Sequence, residues 1–285
     1  MRVLVTGAGG LVGTALTRHC ARLDDEVIAH THQSLDISNA ALVEAALMKH
    51  EPEAVINCAA WTDVDGCELD PDRAMLVNSA GPENLARASR KFGTQLITIS
   101  TDYVFDGTKE GPYTQRDDPN PTSVYGLSKL EGERKALLSY ARTIVVRSGF
   151  IFGPGGKNFL STVGDRLWKG EHLKAINDSW GTPTYALDLA VRLRELAVLD
   201  LPGIFHVVNG GAGASYEEFA RLALEALDCR EATVEGLSMD SLKRPAARPR
   251  NSRLKCLLSD AIGLAPLREW QYALMEFLAL NRSLK

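Results

Sequence analysis

Cysteine is scarce and unpatterned in this chain: five occur, an odd number, and no two are spaced Cys-x-x-Cys. That excludes a disulfide framework and a zinc knot, and it is the usage expected of reduced thiols in a cytoplasmic protein. Long apolar runs are missing too. None approaches the roughly 18 residues a membrane-spanning helix needs, so no membrane partner is expected. The opening stretch Arg2-Val3-Leu4-Val5 is strand-like and carries no basic segment leading into a long apolar one, so no signal peptide is expected. Positive charge is not in excess either. The net charge is −4, which speaks against nucleic acid as a partner. None of the six histidines has a ligand spacing such as His-x-x-x-His, and no metal site is expected. What is present is the composition of an ordinary globular enzyme, 45% hydrophobic and 24% charged over 285 residues. That length suits one large α/β unit, or a larger domain with a smaller appendage.

Short β-branched runs alternate with helix-like stretches through the first half. Val3–Val5, Glu26–Ala29, Ala54–Asn57, Leu96–Ser100 and Thr143–Arg147 read as strands. Leu11–Leu23, Ala40–His50, a stretch within Asp72–Phe92, and Tyr125–Ala141 read as helices. Strands separated by helices of this length make βαβ units, hence an α/β fold with a Rossmann-type doubly wound parallel sheet. The pattern changes after Arg147. Gly149–Gly156 reads as a loop and Leu173–Ile176 and Ile204–Val208 as strands. Ala186–Val198, Tyr216–Leu227 and Trp270–Leu280 read as helices, and Leu242–Arg253 as a proline-rich basic segment. This predicts a dinucleotide-binding domain over residues 1–148, to which a strand and helix from about 186–208 return, and a smaller C-terminal substrate-binding lobe over 149–185 and 209–285. A cleft between the two is the expected ligand site.

The glycine-rich segment Thr6-Gly7-Ala8-Gly9-Gly10-Leu11-Val12-Gly13 follows the first strand and opens the first helix, the context in which a Gly-x-x-Gly-x-x-Gly spacing carries meaning. Glycine permits the tight turn and the close approach of backbone to a diphosphate, which then meets the helix N-terminus. Gly7, Gly9, Gly10, Leu11, Val12 and Gly13 are therefore expected at an NAD(P) cofactor. The second strand ends in Ala29-His30-Thr31-His32, with neither an acid for a ribose hydroxyl nor an arginine for a phosphate. Without an acid to repel it, a 2′-phosphate is tolerated, which leans weakly to NADPH over NADH. Asp36, a little later, is equally suited to meeting the adenine or to capping the helix that follows.

Tyr125 and Lys129 stand four residues apart on a helix, hence on one face. A free phenol has a pKa near 10, and a neighbouring ammonium stabilises the phenolate, so the pair reads as an activated general acid. Thr101, in Ile99-Ser100-Thr101-Asp102-Tyr103, falls at the end of the fourth strand, where open parallel sheets bind their ligands. Its hydroxyl can meet a substrate carbonyl beside the tyrosine. The basic cluster Lys243, Arg244, Arg248, Arg250, Arg253 and Lys255 offers guanidinium forks for a diphosphate.

These motifs, with Asn57–Asp65, Val124–Lys129, Asn158-Phe159, Gly181-Thr182-Pro183-Thr184 and Arg248–Leu254, give the chain a resemblance to the extended short-chain dehydrogenase/reductase family over nearly its whole length. Within that family it resembles the reductases of dTDP-linked 4-keto sugars. The resemblance implies reduction of the C4 keto group of a dTDP-6-deoxy-4-ketohexose, dTDP-4-dehydro-L-rhamnose foremost, by Thr101, Tyr125 and Lys129. It places Ala59, Ala60 and Thr62 beside the cofactor, with Ile37, Asn78 and Ser100 completing that set alongside Asp36. It places Thr62, Val64, Asp102, Tyr103 and Asn158 at the sugar, Arg248 and Arg253 at the diphosphate with Asn251 nearby, and Trp180 just before the Gly-Thr-Pro segment. Family members commonly have Thr-Ser-Trp after the fifth strand, where this chain reads Ser148-Gly149-Phe150, so Phe150 becomes the expected aromatic wall. Gln115-Arg116 stands where an acid is common. Ala15 and a position near Leu187 fall where glutamates bridge a dimer through a metal in the family, so that metal site is not expected, while a homodimer is allowed. Other outcomes the resemblance admits are a ketoreductase for a different deoxysugar, a sugar-nucleotide epimerase or dehydratase, and a non-catalytic regulatory subunit. The dehydratase reading lacks its acid pair, since Tyr103 follows Asp102.

Overall fold

The computed structural model describes residues 1–283; residues 284–285, the end of the lobe expected to run to 285, lie outside the described residues. The first half of the chain runs β1 (Arg2–Thr6), α1 (Leu11–Arg22), β2 (Glu26–His30), α2 (Ala40–His50), β3 (Ala54–Asn57), α3 (Val64–Leu69), α4 (Pro71–Met75), α5 (Gly81–Phe92), β4 (Gln95–Thr101), α6 (Val124–Ser139) and β5 (Thr143–Ser148). The second runs β6 (Ile151–Phe152), α7 (Phe159–Trp168), β7 (His172–Ile176), β8 (Trp180–Gly181), β9 (Thr184–Tyr185), α8 (Ala186–Leu199), β10 (Gly203–His206), β11 (Ala214–Ser215), α9 (Tyr216–Leu227), β12 (Thr233–Leu237), α10 (Leu257–Ala261) and α11 (Trp270–Ser283).

Six strands form a parallel sheet in the order β10-β5-β4-β3-β1-β2. Because side chains alternate along a strand, the apolar runs sort themselves onto two faces. Val3, Val5, Ile56, Ile97, Ile144, Val146 and Phe205 pack beneath α1 and α8. Leu4, Val55 and Leu96 pack on the other side against α2, α5 and the end of α6. Both faces are covered, as a parallel sheet requires. Ala15 is buried in the α1–α8 layer and Leu187 packs at its margin.

Beyond β5, a separate apolar cluster is built on Phe152, Leu173, Tyr185, Phe219, Trp270 and Phe277. β7 does not enter the main sheet; it pairs in parallel with β12, a strand whose sequence Thr-Val-Glu-Gly-Leu has too little apolar content to announce itself. The long helix expected within Asp72–Phe92 is α4 and α5 joined by a π-turn at Leu76–Ala80. The extra residue of that turn carries Asn78, which donates to the Trp61 carbonyl at 3.0 Å and to Ser128 Oγ at 3.1 Å and accepts from Trp61 N at 2.8 Å. α3 is short and set by Asp63, which accepts from Gly66 N at 2.9 Å.

One buried ion pair ties α6 to β5. Arg147 Nε and Nη2 donate to Glu133 at 2.7–3.2 Å, with side chains 4% and 3% exposed, and the guanidinium lies 5.2 Å over the Phe105 ring. Breaking a buried pair leaves a charge uncompensated. Glu133→Ala is expected to destabilise the protein by about 3–5 kcal/mol, read as a lowered urea midpoint; an unchanged midpoint would show the pair to be dispensable.

Candidate active site

The C-terminal ends of β1, β3, β4 and β5 open onto a cavity of about 760 Å³. β1 lies between β2 and β3, so the chain leaves it to opposite sides of the sheet, the position where open parallel sheets bind ligands.

At one end is the glycine turn. Gly7 has φ +65°, and a Cβ on it would lie 2.6 Å from Ala59 N; a Cβ on Gly13 would lie 2.2 Å from the Gly7 carbonyl oxygen. Any larger residue at either position pushes α1 off the turn. Gly10 is the N-cap with no side chain to satisfy the first-turn N–H groups, and no acid stands in that turn. These donors and the helix dipole suit a diphosphate, so a dinucleotide fits this cradle. Gly10, Leu11, Val12 and Gly13 line the cavity, with Ala60, Thr62 and Ser100. Gly9 is the exposed tip of the turn, and Gly7 shapes it from beneath.

At the centre, Thr101 Oγ1 donates to Asp102 Oδ1 at 3.0 Å, accepts from Tyr103 N at 3.2 Å and faces the Tyr125 phenol. Tyr125, Lys129 and Thr101 are all buried and all line the cavity. Burial pushes the Tyr125 phenol above its ordinary pKa, with Thr101 pulling weakly the other way. This corrects the expectation that Lys129 lowers it. Lys129 Nζ is turned to the Ile99 carbonyl at 2.7 Å, and burial pulls its own pKa down to about 8 against the opposing charge of Glu133. Asp102 is pushed up to about 6 by burial, with the nearby Ser252 and Thr101 hydroxyls pulling the other way. Its Oδ2, Ser100 Oγ and Ser148 Oγ are buried without a protein partner, and all three residues border the cavity. Such atoms mark a polar site rather than a packed core.

The far wall is aromatic. Phe150 lies 4.6 Å from Tyr216, Phe159 packs edge-on to Tyr216, and Tyr103 edge-on to Tyr125. Phe150 has φ +48°, a strained conformation for a bulky residue. A Cβ on Gly181 would fall 2.2 Å from its ring, so that glycine makes room for it. Thr62, Val64, Asp102, Tyr103, Phe150 and Asn158 line the cavity.

Other expected residues are elsewhere. Asp36 accepts from Ser38 N at 2.9 Å and Ser38 Oγ at 2.7 Å, closing its own turn, while Asn39 caps α2. Ile37 is buried in the core against Gly81, Ala59 lies behind the cavity with its N–H on Asn57, and Asn78 is a buried strut. The Arg248 fork is closed on Asp65 at 2.7 and 3.0 Å. Arg253 bonds Asn251 Oδ1 at 2.9 Å and the Glu110 carbonyl and lies over the Trp180 ring. Asn251 donates to the carbonyls of Lys109 and Gly111, clasping that loop rather than a ligand, and Trp180 pairs with it as an isolated bridge. Arg244, a member of the basic cluster, lines the cavity; Tyr216 and Lys174 line it too and were not foreseen, since nothing in their local sequence sets them apart from surface residues.

The family model described as the RmlD substrate binding domain matches residues 1–283. A dTDP-4-dehydrorhamnose reductase of Streptomyces griseus is 39% identical, covering 96% of this chain and 92% of its own length. A probable dTDP-4,6-dihydroxy-2-methyloxan-3-one 4-ketoreductase of Streptomyces antibioticus is 37% identical, covering 97% and 94%. Among solved structures, a dTDP-4-dehydrorhamnose reductase of Bacillus anthracis in complex with NADP superimposes with a TM-score of 0.93 at 31% identity, covering 98% of each chain. A parallel sheet covered on both faces, a glycine turn opening α1 and a threonine, tyrosine and lysine around one cavity thus accompany similarity along the whole chain, which belongs to the RmlD substrate binding domain family.

Proposed function

We propose that the protein is an NAD(P)H-dependent reductase of the C4 keto group of a dTDP-linked 6-deoxy-4-ketohexose, with dTDP-4-dehydro-L-rhamnose as substrate and dTDP-L-rhamnose as product. The observation that carries the reading is the convergence of Thr101, Tyr125 and Lys129 on the cavity that also takes in the first turn of α1. The dinucleotide supplies hydride when bound. Tyr125 gives its proton to the C4 oxygen; burial keeps the phenol protonated until the developing alkoxide, a much stronger base, takes that proton. The Thr101 hydroxyl orients the carbonyl, and Lys129, set on the Ile99 carbonyl, holds the nicotinamide ribose. In this reading residues 1–148 with the α8–β10 return hold the dinucleotide, and 149–185 with 209–285 hold the sugar nucleotide. NADPH is the preferred cofactor, and the enzyme works in the cytoplasm.

A second ketoreductase reading is supported by the Streptomyces antibioticus relative and by Phe150, which change the sugar and keep the chemistry. Epimerase or dehydratase chemistry lacks its second acid after Asp102, and a regulatory subunit would not need the three catalytic side chains around a cavity.

Three outcomes follow. Tyr125→Phe is expected to lower kcat by about 10²–10⁴-fold, the span typical of a general acid, with NADPH affinity kept; a rate above one tenth of the parent would remove Tyr125 from this role. Because the Lys129 ammonium loses its proton above a pKa of about 8, kcat/KM is expected to be flat below pH 8 and to fall above it. Lys129→Arg, charged at all working pH values, moves that limb upward; a limb that stays put belongs to another group. At the end of β2, Thr31→Asp sets a carboxylate against a 2′-phosphate, so the ratio of kcat/KM for NADPH over NADH is expected to fall about tenfold, a difference of about 1.4 kcal/mol. An unchanged ratio would locate the preference elsewhere.

A further inference from the structure

Lys129, Glu133 and Arg147 form a row of alternating charge that starts at the cavity and runs into the interior. All three are buried, and of the three only Lys129 lines the cavity. Lys129 and Glu133 stand four residues apart on α6, on the face that also carries Tyr125, and Arg147 reaches them from β5. Arg147 donates from Nε to both Glu133 oxygens and from Nη2 to Oε2, so Glu133 stands there as a carboxylate. Burial works against the Lys129 ammonium, and the Glu133 charge is the main influence in its favour. The other acids around the amine bring it no charge near neutral pH. Burial pushes Cys58, after β3, up to about 12 and Cys67, on α3, up to about 11, and it raises the Tyr125 phenol as well. On β4 the amine meets the Ile99 carbonyl, and Asp102 past the end of that strand is engaged by Thr101. Beside Arg147, His206 on β10 is pulled down to about 4 by burial and by the Arg147 charge, against Asp117, and is neutral.

We infer that Glu133 is a positioning residue of the reaction: a fixed negative charge one turn behind Lys129 keeps that amine in its ammonium form, and Arg147 holds the carboxylate in place. The number of donors shows why the charge matters. An ammonium has three N–H bonds and a free amine two. Lys129 spends one on the Ile99 carbonyl, so the ammonium keeps two for the ribose and the free amine only one. The inference rests on the proposed reaction for what Lys129 holds, but the charge of Lys129 can be read without turnover.

Glu133→Gln keeps the shape of the side chain and removes its charge. In the full-length protein it is expected to move the alkaline limb of kcat/KM down by about one pH unit. Between pH 6 and pH 8, kcat/KM then falls about tenfold, where the parent's falls about twofold. Arg147→Lys loses the fork and keeps the charge, so it is expected to lower Tm, as Glu133→Gln does, while the limb stays put. A carbon-13 NMR titration of the Lys129 ε-methylene, identified by its absence in Lys129→Arg, is expected to show the same downward shift in unliganded Glu133→Gln. Should Glu133→Gln not fold, Glu133→Asp, which draws the carboxylate back by one methylene, is expected to shift the midpoint in the same direction by less. A Lys129 midpoint that stays at the parent's value in the folded Glu133 variant overturns the inference. So does an equal shift in Arg147→Lys, which would make the pair a structural tie alone. A wild type that oxidises no NADPH with a dTDP-4-keto-6-deoxyhexose, while the Glu133 variant still lowers the Lys129 midpoint, defeats the proposed reaction and leaves the charge pairing standing.

Discussion

The structure turns on one helix that buries its polar side. On α6, Tyr125, Ser128, Lys129 and Glu133 all point inward, and the helix lies so close to its neighbours that a Cβ on Gly126 would sit 2.2 Å from the Tyr103 carbonyl oxygen and one on Gly132 2.1 Å from that of Asn78. Two glycines inside a helix cost about 1 kcal/mol each against alanine. Here they are what lets the phenol and the ammonium reach the sheet edge. A buried ammonium is costly unless it is paired or hydrogen-bonded. The Ile99 carbonyl and Glu133 one turn on meet that need, and Glu133 requires Arg147 in turn. Each polar group of this face is thus held by the next. The chain ends at Phe105, under the guanidinium, and at Trp61, through Ser128 and Asn78.

That dependence explains what could be read from the residues. The parallel sheet was legible because strands buried on both faces are continuous apolar runs, and the glycine turn because its spacing sits between a strand and a helix. The tyrosine, lysine and threonine follow from helix periodicity and from the sheet edge. What escaped depends on partners far along the chain. Arg248 reads as a free fork until Asp65, 183 residues earlier, is found against it. Asp36 reads equally as an adenine contact or as a cap for α2 until Ser38 closes the turn beneath it and Asn39 takes the cap. Lys129 has the spacing to lower the phenol's pKa, but spacing does not say which way its ammonium turns once a backbone carbonyl is within reach. β12 and α3 escaped for another reason: strand and helix there are short, and their stability comes from register with β7 and from a single capping aspartate.

The division of labour within the cavity follows from the same geometry. In the proposed reaction the side chains that orient the carbonyl and give the proton stand on β4 and α6, where burial and interlocked hydrogen bonds hold them. The groups that would border the sugar stand on the loop after β5 and at the start of α9. Phe150 keeps a left-handed backbone with its ring in space left by Gly181. Gly149 next to it leaves room for the Asp102 carboxyl, which a side chain there would strike at 2.2 Å. Exchanging residues on this wall alters what fits without disturbing the acid beneath it. The wall can therefore vary between reductases of different deoxysugars on one catalytic base, and a change of substrate needs no change in Thr101, Tyr125 or Lys129.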